Sequence, residues 1–79
     1  MTELNWAWIY QYNGNLWQQF ECLNCMILES KWWLWKQDRS ISFKIMVDEI
    51  ICVINFTKMT AEHLLSDGSL KIIKIKRTD

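Results

Sequence analysis

Trp6-Ala7-Trp8-Ile9-Tyr10-Gln11-Tyr12-Asn13-Gly14-Asn15-Leu16-Trp17-Gln18-Gln19-Phe20 is the stretch whose reading decides the fold. Trp6, Trp8 and Tyr10 alternate with Ala7 and Ile9, so three large aromatics share one face of an extended segment. Asn13-Gly14 is a strong hairpin signal, because both residues tolerate the positive φ that matches strand twist. Trp17 and Phe20 then fall on a returning strand. So dense an aromatic hairpin must fill a core or line a pocket.

Working outward, Asn24 is a candidate N-cap for a helix over roughly 25–36. Ile27, Leu28, Trp32 and Trp35, with the stem of Lys31, lie near one stripe at helical spacing, and Trp33 falls off it. Gln37 to Ser40 is polar and reads as a loop. Ile41, Phe43, Ile45 and Val47 alternate with Ser42, Lys44 and Met46, the period of a half-buried strand. Asp48-Glu49 reads as a turn, and the apolar, β-branched run Ile50 to Phe56 as a more buried strand. Thr57 to Ser66 is ambiguous, with a helical turn expected around Thr60–Leu65. Asp67-Gly68 marks a further turn. Leu70 to Arg77 is a last strand with Lys71, Ile73, Ile75 and Arg77 on one face.

The sum is an α+β fold: a strongly curved half-barrel sheet, antiparallel or mixed, packed on one helix. Seventy-nine residues form a single domain, 1–79. So short a chain buries only roughly 60% of its unfolded surface, which makes the six tryptophans valuable as core. The plain start and basic end suggest a segment of a longer protein. No apolar run is long enough to span a bilayer and no leader pattern is present, so no membrane partner is expected.

Formal net charge is zero, which argues against a general nucleic-acid binder, and no direct DNA binding is expected. The charge is uneven, though. The first thirty residues hold Glu3, Glu21 and Glu29 with no Lys or Arg, whereas the last nine hold Lys71, Lys74, Lys76 and Arg77 against Asp79. That tail suits a phosphate-bearing ligand. It equally suits a solvated edge strand protected by lysines.

Cys22, Cys25 and Cys52 are an odd number, and free thiols in a reducing compartment fit best. Cys22-x-x-Cys25 has zinc-ligand spacing and could recruit Cys52 and His63, but a single pair is weak, so no metal and no cofactor are expected. His63 has no nucleophile near it. Glu29 is expected to be structural, favoured by the helix dipole and tying backbone N–H groups. Paired carboxylates, a nucleophile–base pair and a glycine-rich phosphate loop are all missing, so the domain itself is not expected to be an enzyme.

Trp8-x-Tyr10, Trp17-x-x-Phe20, Leu28-Glu29, Val53-x-Asn55-Phe56-x-x-Met59 and Gly68-x-x-Lys71-x-Ile73-Lys74, in that order, resemble the WWE domain family. The family is named for two tryptophans and a glutamate, best matched here by Trp8, Trp17 and Glu29. The resemblance spans about Trp6 to Arg77. It implies a half-barrel packed on one helix, and an intracellular setting, nuclear or cytoplasmic, within poly(ADP-ribose) polymerase-type ADP-ribosyltransferases or ubiquitin ligases. It implies an ADP-ribose-containing ligand, the iso-ADP-ribose unit or chain end of poly(ADP-ribose) on a modified protein, as partner. On the residue matches, Tyr10, Trp17, Cys52, Ala61 and Lys71 would form the ligand site.

Three of those matches depart from the family's ligand readers. Cys52 stands in place of a tyrosine, Ala61 in place of a glutamine and Lys71 in place of an arginine. Ala61 offers no hydrogen bond, and lysine lacks the bidentate grip of arginine. Each departure costs about 1–2 kcal/mol where a net-favourable bond is lost. Together they are enough to move micromolar binding towards millimolar. The alternative is a protein-interaction domain with a degenerate pocket, in which the aromatic run Trp32-Trp33-Leu34-Trp35 would supply an anchor.

Overall fold

The computed structural model describes residues 6–78. Glu3, Asp79 and the plain start lie outside the described residues. Seven elements follow one another: β1 (Ala7–Asn13), β2 (Leu16–Gln19), α1 (Cys22–Gln37), β3 (Phe43–Val47), β4 (Ile50–Asn55), β5 (Thr60–Leu64) and β6 (Leu70–Thr78). The six strands form one strongly curved half-barrel sheet in the order β2-β1-β6-β5-β4-β3. Every pairing is antiparallel, so of the two expected sheet types the mixed one is set aside.

The aromatic hairpin forms, with one shift. Its two central residues are Gly14 and Asn15 rather than Asn13 and Gly14, since Asn13 pairs with Leu16. Gly14 takes φ 60, the positive value that the first central residue of a type II′ turn requires. The β3–β4 hairpin turns on Asp48 and Glu49, at φ 50 and 67. Two acidic residues in left-handed backbone, with no glycine to relieve it, are uncommon.

Two further expectations are corrected. The 57–66 segment holds no helical turn around Thr60–Leu65; Thr60–Leu64 is strand β5, paired on both sides with β4 and β6. The neighbouring strands supply ladder partners that a five-residue helix could not match. The helix starts at Cys22, three residues early, with Glu21 at the N-cap making no side-chain cap bond. Asn24 lies inside the first turn, and its Nδ2 donates to the Met46 carbonyl at 2.8 Å. It ties the helix start to edge strand β3.

The pairing pattern sorts side chains onto two faces, since directly opposed residues share a face. Trp8 opposes Arg77, Tyr10 opposes Ile75, Ile45 opposes Cys52, and Ala61 opposes both Ile54 and Ile73. These occupy the concave face, and Trp8, Tyr10, Ile45, Cys52, Ile54, Ala61 and Ile75 are buried there. The helix adds Cys25 and Leu28 to the same core, with Ile27, Trp32 and Trp35 packed against it, as the helical stripe predicts. Trp8 meets Trp32 edge-on at 5.8 Å, and Trp35 meets Phe56 at 5.7 Å. Trp33 is exposed.

Strand β6 serves two partners in turn. Its residues Leu70–Lys74 pair with β5, and Ile75–Thr78 pair with β1. No residue of the strand appears in both registers. The Ile75 N–H donates to Met59 O at 3.0 Å at the handover. Beyond Tyr10, β1 leaves β6, helped by a bulge between Gln11 and Asn13. A wedge opens between the end of β1 and the start of β6.

Candidate functional site

Two sites lie along the concave face, and they differ in chemistry. At one end Glu29 accepts four hydrogen bonds. Trp8 Nε1 donates to Oε1 at 2.9 Å and Trp33 Nε1 to Oε2 at 3.0 Å. Arg77 grips both oxygens at 2.8 Å through Nε and Nη2. Chiefly through the Arg77 bonds, and against the cost of burial, the Glu29 carboxyl is held down at about 2. Glu29 lies mid-helix and bonds to side chains, so the expected role for backbone N–H groups at a helix start is corrected. Trp8 and Glu29, two of the three name-giving residues, are thus joined directly. A saturated carboxylate has no lone pair left for chemistry, and this site is a structural pin.

At the other end lies a pocket of about 90 Å³. Tyr10, Cys52 and Lys71, three of the five residues expected to form a ligand site, line it together. Tyr12, Asp48 and Ile73 are among its other walls. Tyr10 is nearly fully buried, tilted against Phe20 at 4.6 Å, and meets the half-exposed Tyr12 edge-on at 6.4 Å. Burial, then the charge of Asp48, pushes the Tyr10 phenol above its ordinary value, so it stays protonated as a donor. Burial also raises the Cys52 thiol, against a lowering pull from Lys71. Cys52 is therefore a neutral wall, not a nucleophile.

Trp17 and Ala61 do not join this pocket. Trp17 opposes Gln11, one position out of phase with Tyr10, which puts it on the convex face. There Lys76 Nζ sits 5.0 Å from its ring centroid. Gln18, opposite Tyr10, takes the concave position instead. Ala61 is buried between Ile54 and Ile73, where a methyl fills the core. Tyr12 and Asp48, with the apolar Val47, Ile50 and Ile73, are the wall residues that sequence reasoning missed. Tyr12 continues the alternation of Trp8 and Tyr10, a signal that was available. For Asp48 only the turn was visible.

A second cavity of about 330 Å³ fills the wedge between β1 and β6, lined by Gln11, Gly14 and Thr60 with Lys71 to Lys74. It shares Tyr12, Lys71 and Ile73 with the smaller pocket, so the two adjoin. A larger cavity, about 650 Å³, lies elsewhere, at the helix start beside the β3–β4 turn. Glu21, Asp48 and Glu49 line it, and three carboxylates repel an anionic ligand.

Cys22 is exposed, while Cys25 is buried with Sγ 3.4 Å from Phe20 O and 3.6 Å from Trp8 O. His63 Nδ1 lies 2.9 Å from Ile51 O. Among the described residues no three of His, Cys, Asp and Glu are grouped to hold a metal. None of the described helices is long and apolar enough to cross a membrane.

The family model described as "WWE domain" matches residues 6–77, nearly the whole chain. No curated protein and no solved structure matches the chain.

Proposed function

The chain belongs to the WWE domain family, whose members are non-catalytic modules for protein or poly(ADP-ribose) interactions, and from that premise we propose that it binds an ADP-ribose-type unit. The observation that carries this reading is the meeting of Tyr10, Cys52 and Lys71 in one pocket, beside a larger cavity that Lys71 also lines. Ligand sites usually measure about 300–1,000 Å³. The 90 Å³ pocket alone is too small, and the adjoining 330 Å³ wedge brings the site into range.

Each part of the ligand then finds matching chemistry. Tyr12 and Ile73 offer apolar walls to the adenine, with Tyr12 standing in for Trp17. The Asp48 carboxylate accepts from the exocyclic amine, a task that Ala61 cannot perform. Lys71 meets the pyrophosphate as a point charge. The strained backbone of Asp48 fits this role, because positive φ in a non-glycine residue is often kept where function needs the side chain. Such a module would act inside the cell, in the nucleus or cytoplasm, within a larger ADP-ribosyltransferase or ubiquitin ligase.

A titration of the labelled domain with ADP-ribose, iso-ADP-ribose and ATP, followed by backbone amide shifts, tests the reading. Saturable shifts at Tyr10, Tyr12, Cys52 and Lys71 are expected. Flat titrations into the millimolar range would sink it. One feature favours a second reading, a protein-interaction domain with a silent pocket: Leu64, Leu70, Ile51 and Ile72 are each more than half exposed on the convex side.

A further inference from the structure

Resting on the ADP-ribose reading, we infer that the domain carries a second subsite on the convex face, which takes the next pyrophosphate-linked unit of a chain. The wedge is what connects the two faces. Its lining includes Lys71 and Ile73 from the concave side of β6 and Ile72 and Lys74 from the convex side. A ligand seated at Lys71 therefore has an open path along the wedge towards Lys74.

Beyond the wedge the convex surface has the composition of a nucleotide platform. Lys76 follows Lys74 two positions along the strand, on the same face, about 7 Å further. Its ammonium lies against the indole of Trp17, which is 37% exposed. Neither lysine makes a salt bridge among the described residues, where Arg77–Glu29 is the only one. The neighbouring convex positions of β1 and β2 are Ile9, Gln11 and Gln19, so among the described residues no acid opposes an incoming phosphate there. Glu62, the nearest carboxylate by register, opposes Ile72 and accepts from Thr60 Oγ1 at 2.8 Å. An exposed indole beside uncompensated lysines is the arrangement that stacks a base and holds its phosphates.

The consequence is length dependence. A single ADP-ribose unit reaches only the pocket and wedge, whereas a chain engages both subsites at once and gains effective concentration. Affinities are measured by fluorescence anisotropy for one iso-ADP-ribose unit, a size-fractionated poly(ADP-ribose) oligomer and a single-stranded RNA of matched charge. The oligomer is expected to bind at least ~10-fold tighter than the unit. Lys76→Glu and Trp17→Ala, at exposed positions outside the pocket, should each remove most of that gain and leave the unit's affinity unchanged. Thermal melts would confirm that both variants fold.

If the oligomer binds no tighter than the unit, or if the variants leave its advantage intact, the second subsite is wrong and the pocket reading stands. If neither ligand binds, both fall. RNA binding as tight as the oligomer's would overturn the subsite too, since the surface would then be a general polyanion face.

Discussion

The two halves of β6 sit on one strand and face the same concave hollow, yet they do opposite work. In the half Ile75–Thr78, Arg77 meets a carboxylate already held by Trp8 and Trp33, and the polar groups gathered at that end hold one another. In the half Leu70–Lys74, Lys71 faces a wedge and a pocket, with Tyr12 and Asp48 across from it. The difference teaches where to look for function in so small a fold. A cation whose counter-charge is built in holds the fold, and a cation left facing a cavity is available to a ligand.

The comparison breaks most visibly at the pin. Glu29→Ala removes the acceptor that Arg77 and two indole N–H groups share. Removing one member of a largely buried pair costs about 3–5 kcal/mol. For a domain of this size that lowers Tm by more than ~12 °C, read by circular dichroism. A fall of a few degrees would mean that the pin is ornamental.

Acid should reach the same group more gently. The Glu29 carboxyl stands near 2 when folded, against an ordinary value of 4.5, so the folded state binds its proton less tightly than the unfolded chain does. Its stabilisation is complete above the ordinary value and fades as pH falls from about 4.5 through 2. Allowing for solvent screening, the loss is on the order of 2–3 kcal/mol. Urea titrations across that window should show the slope in the native chain and a much flatter profile in Glu29→Gln. Equal slopes would place the acid sensitivity elsewhere. Trp8→Phe asks less again: it keeps an aromatic ring in the core, removes one of four donors, and is expected to cost about 1–2 kcal/mol in the same assay.

How legible each half was follows from the same physics. The hairpin, the helical stripe of Leu28, Trp32 and Trp35, and the last strand could be read because their apolar periods are local. Strand β5 could not: Thr60-Ala-Glu-His-Leu carries no strand period of its own, and only its neighbours β4 and β6 make it a strand. Glu29 was recognised as structural, but its true partner Arg77 lies 48 residues away, a separation no local pattern encodes. Trp17 was placed in the pocket by family position. Its face was decided by a register in which Gln11, not Tyr10, stands opposite. A shift of one residue in a strand exchanges the two faces, so register is what sequence matching is least able to supply. Tyr10, Cys52 and Lys71 sit on three different strands, and the strand order β1-β6-β5-β4 is what brings them to one pocket.

The open half of β6 is expected to respond in binding and not in stability. Lys71→Ala, at an exposed position, should leave the unfolding free energy within ~0.5 kcal/mol. It should weaken ADP-ribose about tenfold, the worth of one charge-assisted hydrogen bond, by amide-shift titration. Lys71→Arg sharpens the contrast by a smaller step. Arginine brings two parallel N–H donors to a phosphate where lysine brings one charge, which favours tighter binding. Yet Asp48 lines the same pocket, and a guanidinium long enough to fork onto a phosphate is also long enough to fork onto that carboxylate. The two outcomes separate cleanly. A roughly threefold gain, on the order of 0.6 kcal/mol, means the ligand wins the guanidinium. A loss accompanied by a raised Tm means that the introduced guanidinium has paired with Asp48, converting the open half of the strand into a second pin.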